Sequence, residues 1–288
     1  MAYSQTFDQR VQEARSALGP AEVRVTDHLS VNRETALYAS AAKLAQDIGT
    51  SDATVIRTVK RLGYAGLSDL RHALAAELRA HLTLADRMAH SLPPEGASQS
   101  ALSLTLTQQR LALDALEQGT APAKFDQALD LIGVANRLVI FGIGPSGHLA
   151  GYFADQMMRL GAETLALGNT GLRFADDLLR LRRRDLLLVL AYDRPYPEVT
   201  ALFDRAAEIV LPTILITAPA TLLPDHRADL VLYIARGKSE GFSLHAGTLA
   251  LLEALLVGYA ARHRDGVLKS LDDLNRMRVS LSEKRLKL

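Results

Sequence analysis

At 288 residues the chain is long enough for two domains with cores of their own, and 48% apolar against 23% charged residues is the balance of a globular protein. A net charge of +1 neither requires nor rules out a nucleic-acid partner. The lack of cysteine excludes disulfides, thiolate catalysis and Cys-based zinc or iron–sulfur sites, and no stretch approaches the roughly 20 apolar residues of a membrane-spanning helix. The opening residues Met1 to Asp8 have neither the basic flank nor the apolar core of a secretory signal, so cytoplasm is the expected compartment.

In chain order, helical periodicity is predicted over 3–18, 20–31, 34–38, 41–48, 51–62 and 67–89. The pair 41–48 and 51–62 is the most informative. Val55, Ile56, Val59 and Leu62 recur at helical spacing and should pack on Leu44 and Ile48 across a glycine turn. Ser51 is placed to cap the second helix. The opposite face carries Thr54, Arg57, Thr58 and Arg61, with Lys60 beside them, and between Thr54 and His72 there are four Lys/Arg against Asp69 alone. A capped helix with its apolar side docked and a cationic side free is what reading the DNA major groove requires. A plain three-helix packing module would share the apolar pattern. Thr54 and Arg57 are expected at base edges, with Ser51, Thr58, Lys60 and Arg61 completing the DNA-binding set.

Leu92-Pro93-Pro94-Glu95-Gly96-Ala97-Ser98-Gln99-Ser100 breaks the pattern and marks a domain boundary. Helices follow over 102–117 and 125–135. Beyond them, short apolar runs alternate with amphipathic stretches: strands at 137–142, 164–167, 185–191, 212–217 and 229–234, helices at 146–160, 198–210 and 243–262. The expected organisation is an all-α helix-turn-helix domain over 1–90, a linker with a connecting helix over 91–119, and an α/β domain over 120–288 with a mostly parallel five-stranded sheet flanked by helices. The tail from Arg262, with eight Lys/Arg against four Asp/Glu, reads as a solvated helix with a frayed end.

Gly142-Ile143-Gly144-Pro145-Ser146-Gly147 follows a strand and opens a helix, matching the dinucleotide fingerprint literally. That site needs an acid about 20 residues on, at the end of the second strand, to hold the ribose. Here the second strand ends Ala166-Leu167-Gly168-Asn169 and Glu163 lies before it, so no nicotinamide cofactor is expected. Helix N-terminal amides and a serine hydroxyl instead suit a smaller anion, with a ligand-free turn as the plain alternative. No metal site and no other cofactor is expected.

Residues 20–80 resemble the N-terminal helix-turn-helix domain of the RpiR family of bacterial transcriptional regulators. The resemblance is carried by Ala45, Gly49, Ser51-Asp52-Ala53-Thr54-Val55-Ile56-Arg57 and Arg61-Leu62-Gly63-Tyr64-Ala65-Gly66-Leu67. Residues 120–262 resemble the SIS (sugar isomerase) domain, the sensor of phosphorylated sugars in family members, with Gly142 to Gly147 as its first loop and Asp155 to Gly161 in the helix that follows. SIS domains commonly carry Ser-x-Ser-Gly-x-Thr-x-Glu after the third strand. This chain has Ala191-Tyr192-Asp193-Arg194-Pro195-Tyr196-Pro197-Glu198 and keeps only Glu198. Asp193 would repel a phosphate whereas Arg194 could pair with it, which leaves a sugar phosphate, a sugar acid or an unphosphorylated compound as effector. The candidate ligand set is Gly142, Gly144, Ser146, Gly147, Asn169, Asp193, Arg194 and Glu198.

The resemblance implies a non-catalytic regulator: a homodimer or higher even-numbered oligomer on double-stranded, palindromic DNA, controlled by a small sugar-derived effector and not bound to a membrane. A sugar-phosphate isomerase with a helical appendage would need Glu198, Glu240, His245 or Glu253 as proton carriers. A carbohydrate-binding module without DNA activity would make the cationic stripe incidental.

Overall fold

The computed structural model describes residues 6–33, 36, 39–81, 83–93, 98–192, 196–218, 227–237 and 241–285. They form two compact units, one mainly of residues up to Leu92 and the other mainly of residues from Pro93 onward. No described helix is long and apolar enough to cross a membrane.

The first unit is helical. α1 (Phe7–Ala14) starts at a reciprocal cap between Thr6 and Gln9, and α2 (Pro20–Val31) starts with proline in its first turn, where a missing amide hydrogen costs nothing. α3 (Ala41–Ile48) is capped by Ser40 and ends at Gly49, whose φ of +70° is the left-handed conformation that a tight exit from a helix demands. α4 (Asp52–Arg61) follows at once. Phe7, Val25, Leu29, Leu44, Val55, Val59, Leu70 and Leu74 are buried together and hold the bundle. Each such side chain contributes roughly 1.5–3 kcal/mol of transfer free energy.

The periodic stretch 67–89, expected as one helix, is two: α5 (Leu67–His81) and α6 (Leu84–Ser91). The break lies at Thr83. Its hydroxyl accepts from the Asp86 amide at 3.1 Å while the Asp86 carboxylate accepts from the Thr83 amide at 2.9 Å, a capping box that starts a new helix. Most of the helix expected over 34–38 lies outside the described residues.

In the second unit, α7 (Ser98–Gly119) occupies the stretch expected to connect the halves and packs on the long helix α12 introduced below. α8 (Pro122–Val134) leads into β1 (Arg137–Gly142), α9 (Pro145–Arg159) and β2 (Thr164–Leu167). A 3-10 turn then runs into α10 (Phe174–Leu179), followed by β3 (Asp185–Leu190), α11 (Pro197–Glu208), β4 (Thr213–Thr217) and β5 (Leu230–Tyr233). α12 (Ala246–Arg262) and α13 (Arg264–Arg285) close the unit.

The sheet is five-stranded, in the order β2-β1-β3-β4-β5, and every pairing is parallel. Leu138, Ile140, Leu188, Leu190, Ile214 and Ile216 pack on α8, α9 and α12. Val139, Phe141, Leu187, Val189 and Leu215 pack on α10 and α11. Burial on both faces is why these strands read as unbroken apolar runs. α10 escaped the sequence reading because six residues are too few to display a helical period.

Candidate functional site

The first candidate surface is α4. Ser51 Oγ accepts from the Thr54 amide at 3.3 Å and meets the Thr54 hydroxyl at 2.9 Å, so the cap engages the polar groups of Thr54 while the helix end stays at the surface. Burial of Val55 and Val59 fixes the rotation of the helix. Thr54 is then half-buried, while Arg57 and Lys60 are exposed and form no ion pair among the described residues.

Two residues assigned to this face from sequence go elsewhere. Thr58 is fully buried, and its hydroxyl donates to the Thr54 carbonyl at 2.8 Å. The reason is helical: position 58 lies three residues after Val55 and four before Leu62, both inward-facing. Arg61 turns toward α2, where Nη1 meets Glu22 Oε2 at 2.5 Å. The same carboxylate accepts from the Gly19 amide at 2.9 Å. That backbone bond is the main cause holding the Glu22 carboxyl below its ordinary range. Burial opposes the shift, and the Arg61 contact and the nearby Arg57 charge reinforce it. Glu22 was not singled out from sequence, although Gly19-Pro20-Ala21-Glu22 is itself a helix-start signal.

The second candidate site is the carboxyl edge of the sheet. β1 ends at Gly142, Gly144 sits at φ +59° and ψ −130°, and Pro145 opens α9. A Cβ on Gly142 would stand 2.5 Å from the Ser146 carbonyl, and one on Gly147 would stand 2.9 Å from the Gly142 oxygen. The turn therefore tolerates only glycine at these points, and it buries Ser146 within the first turn of α9. Strand register places the ends of β2, β1 and β3 side by side, with Phe141 opposite Leu167 and Gly142 opposite Leu190. Because β2 and β3 lie on opposite sides of β1, this is the topological switch point at which ligands of open parallel sheets bind.

Asn169 and Glu198 reach this edge and are partly engaged. The Asn169 amides donate to Asp177 at 3.2 Å from the backbone and 3.0 Å from the side chain. Glu198 Oε1 accepts from the Gly171 amide at 3.0 Å. Both tie down the loop after β2 through these bonds. Asp193 and Arg194 lie outside the described residues.

Past β3 and β5 the structure brings together a cluster that no motif announced. Tyr192 shares a buried hydrogen bond with Thr248 of α12 at 2.9 Å, and the Arg236 guanidinium lies 4.0 Å from the centre of the Tyr192 ring. Arg236 Nη2 meets His245 Nε2 at 3.2 Å. A guanidinium can only donate, so Nε2 accepts and the imidazole proton sits on Nδ1, which is buried and has no partner among the described residues. Burial first, and the Arg236 charge second, push the His245 pKa down to about 4. The cluster combines one cation with a neutral imidazole of defined tautomer.

Comparison with known proteins matches both halves. Residues 6–81 fit the helix-turn-helix domain of the rpiR family, and residues 131–264 fit the SIS domain. The chain belongs to the RpiR family. A Bacillus subtilis relative of this RpiR-family chain, the uncharacterized HTH-type transcriptional regulator YbbH, is 22% identical over 282 residues, covering 96% of this chain and 97% of that protein. The bifunctional protein glk of Burkholderia mallei is 28% identical over 268 residues, which is 91% of this chain, but the chain spans only 40% of that protein's length. Among solved structures, the Vibrio vulnificus NanR protein complexed with ManNAc-6P shares the fold, with a TM-score of 0.57 at 18% identity over 96% of this chain and 99% of that one.

Proposed function

We propose that this RpiR-family chain is a DNA-binding transcriptional regulator whose SIS unit binds an anionic sugar derivative. The observation that carries the reading is α4: a helix capped at its exposed end by Ser51, anchored by Val55 and Val59, and presenting Arg57 and Lys60 without an ion pair among the described residues. Thr54 and Arg57 near the helix start are the residues for base edges, and Lys60 for phosphate. The carboxyl-edge turn supplies α9 amides to an anion, and Arg236 with His245 offers further donors on the same edge of the sheet. The sugar phosphate carried by NanR supports an effector of that class here.

A homodimer on a palindromic operator, with half-sites about one helical turn apart or a multiple of it, is the assembly that suits one reading helix per chain. Effector binding alters DNA affinity through linkage, by favouring one arrangement of the DNA-binding units over another. The isomerase reading has weaker support. Glu198 is held by the Gly171 amide, Glu253 accepts from the Tyr152 hydroxyl at 2.9 Å, and His245 is bound to Arg236, so none of the three is unengaged. Glu240 lies outside the described residues.

The test is a gel shift with DNA from upstream of the protein's own gene, run across a panel of sugar phosphates and sugar acids. Sequence-selective binding altered by one panel member is the expected result. Indifference to all genomic fragments at low ionic strength, or turnover of a panel member by the purified chain, would overturn it.

A further inference from the structure

The effector edge is one end of the parallel sheet, and the opposite end carries a surface that DNA reading and effector binding leave unused. At the amino ends of β1, β3 and β4 lies a cleft of about 340 Å³, walled by Leu131, Val134 and Pro212 and bordered by Asn136, Arg184 and Asp185. The turn entering β3 is rigidly held. The Arg182 amide donates to Asp185 Oδ2 at 2.8 Å, and Arg137 clasps the same carboxylate through Nε at 3.1 Å and Nη2 at 2.6 Å. The Arg184 carbonyl accepts from the Asn136 amide at 3.1 Å.

Arg137 thus neutralises Asp185, while the next three cations are not offset. Arg182, Arg183 and Arg184 are exposed, and their side chains make no hydrogen bond or ion pair among the described residues. The Asn136 side-chain amide is likewise unengaged among them. Val134, at the mouth of the cleft, is 81% exposed. Arg184 at φ +74° and Val210 at φ +54° are the two non-glycine residues in the left-handed region among the described residues, and Val210 lies two positions before Pro212 of the wall. Backbone of this kind is strained and tends to gather at binding sites.

We infer that this cleft is a second binding site, for a phosphorylated ligand with a flat, partly apolar body: the chemistry of a nucleotide. Its phosphates lie on the guanidinium of Arg184, with Arg182 and Arg183 adding positive charge along the same turn, its body rests against Val134 and Pro212, and a base edge pairs with the Asn136 amide. Guanidiniums bind phosphate through charge-assisted, often bidentate bonds, and a side-chain amide matches the paired donor and acceptor of a base edge. The cleft volume lies within the range of small-molecule sites.

The experiment is calorimetric titration of the full chain at low ionic strength with ATP, and separately with inorganic triphosphate, adenosine and a Glu/Leu peptide. Saturable ATP binding, about tenfold or more tighter than triphosphate or adenosine alone, is expected. The double substitution Arg183→Gln/Arg184→Gly should weaken ATP about tenfold or more. It removes two exposed guanidiniums and gives position 184 a residue suited to its backbone, so the fold is kept. Asn136→Ala should narrow the preference for ATP over triphosphate. No saturable binding at millimolar ATP, equal affinity for triphosphate, insensitivity to the arginine substitutions, or tighter binding of the acidic peptide would each overturn the assignment, the last in favour of a protein-docking surface.

Discussion

Glu22 of α2 holds Arg61, the last residue of α4, in an ion pair. Replacing Glu22 by Gln keeps an acceptor for the Gly19 amide, since glutamine also serves in a capping box, but removes the charge that draws Arg61 to α2. The ion pair is shielded on one side only: the Glu22 side chain is 10% exposed and that of Arg61 52%. Its contribution to stability is therefore about 1 kcal/mol or less. The larger effect should be on DNA. One released guanidinium adds one phosphate contact, which steepens the logarithmic salt dependence by about 0.9 and tightens binding to random duplex about fivefold at low salt. Arg57 sits in the same carboxylate's field, so the potential over the whole reading face rises as well. Fluorescence anisotropy on random duplex across a salt series reads both quantities. Unchanged affinity and slope in Glu22→Gln, or weaker binding than the parent, would refute the idea that the ion pair withholds a cation. The carboxyl also makes a pH statement. Its folded value is depressed, so its contribution to stability is present above the ordinary value of 4.5 and is lost as pH falls through the lower folded value. Denaturant midpoints measured into acid should fall less steeply for Glu22→Gln than for the parent.

Arg57→Ala should lose about 1–3 kcal/mol on the operator and less on random DNA, whereas Lys60→Ala should weaken both alike; equal losses for Arg57→Ala in parallel anisotropy titrations would remove it from base reading. Gly142→Ala forces a methyl against the Ser146 carbonyl 2.5 Å away, in backbone that cannot step aside, so a loss of several kcal/mol is expected in urea unfolding; a change under 1 kcal/mol would show the turn to be adaptable. The His245 pKa is depressed to about 4 in the folded protein, so the unfolded chain binds the proton more readily between that value and about 6.5. Stability should accordingly fall as pH drops through this window, and His245→Gln should flatten the profile; an unaltered profile in the variant would mean that the imidazole is not held neutral.

The two halves differ in how much of their chemistry could be read in one dimension. Around α3 and α4 the signals are local: a serine cap, a left-handed glycine and an apolar period all fall within 41–62, and the helices formed where they were expected. The sheet was legible for a different reason. Burial on both faces leaves runs such as Leu186-Leu187-Leu188-Val189-Leu190 without a polar position, and few other environments produce them. Helix ends were less legible, because Thr83 reads as one more polar residue until its reciprocal bonds with Asp86 are seen.

The amino-acid order by itself determined the five strands and most of the helices, that a helical unit precedes a parallel α/β unit, and that Gly142 to Gly147 must turn tightly, since each depends on chemistry within a few residues. Tertiary structure decided which polar side chains are available to act. Thr58 is lost to the core, Arg61 is claimed by Glu22 across 39 residues, and Tyr192, Arg236 and His245 meet only once β3, β5 and α12 have assembled. Periodicity gives a helix its apolar stripe but not the residues bordering that stripe, and an ion pair leaves no trace in the spacing of its partners. Those are set by the rotation each element adopts as the core closes.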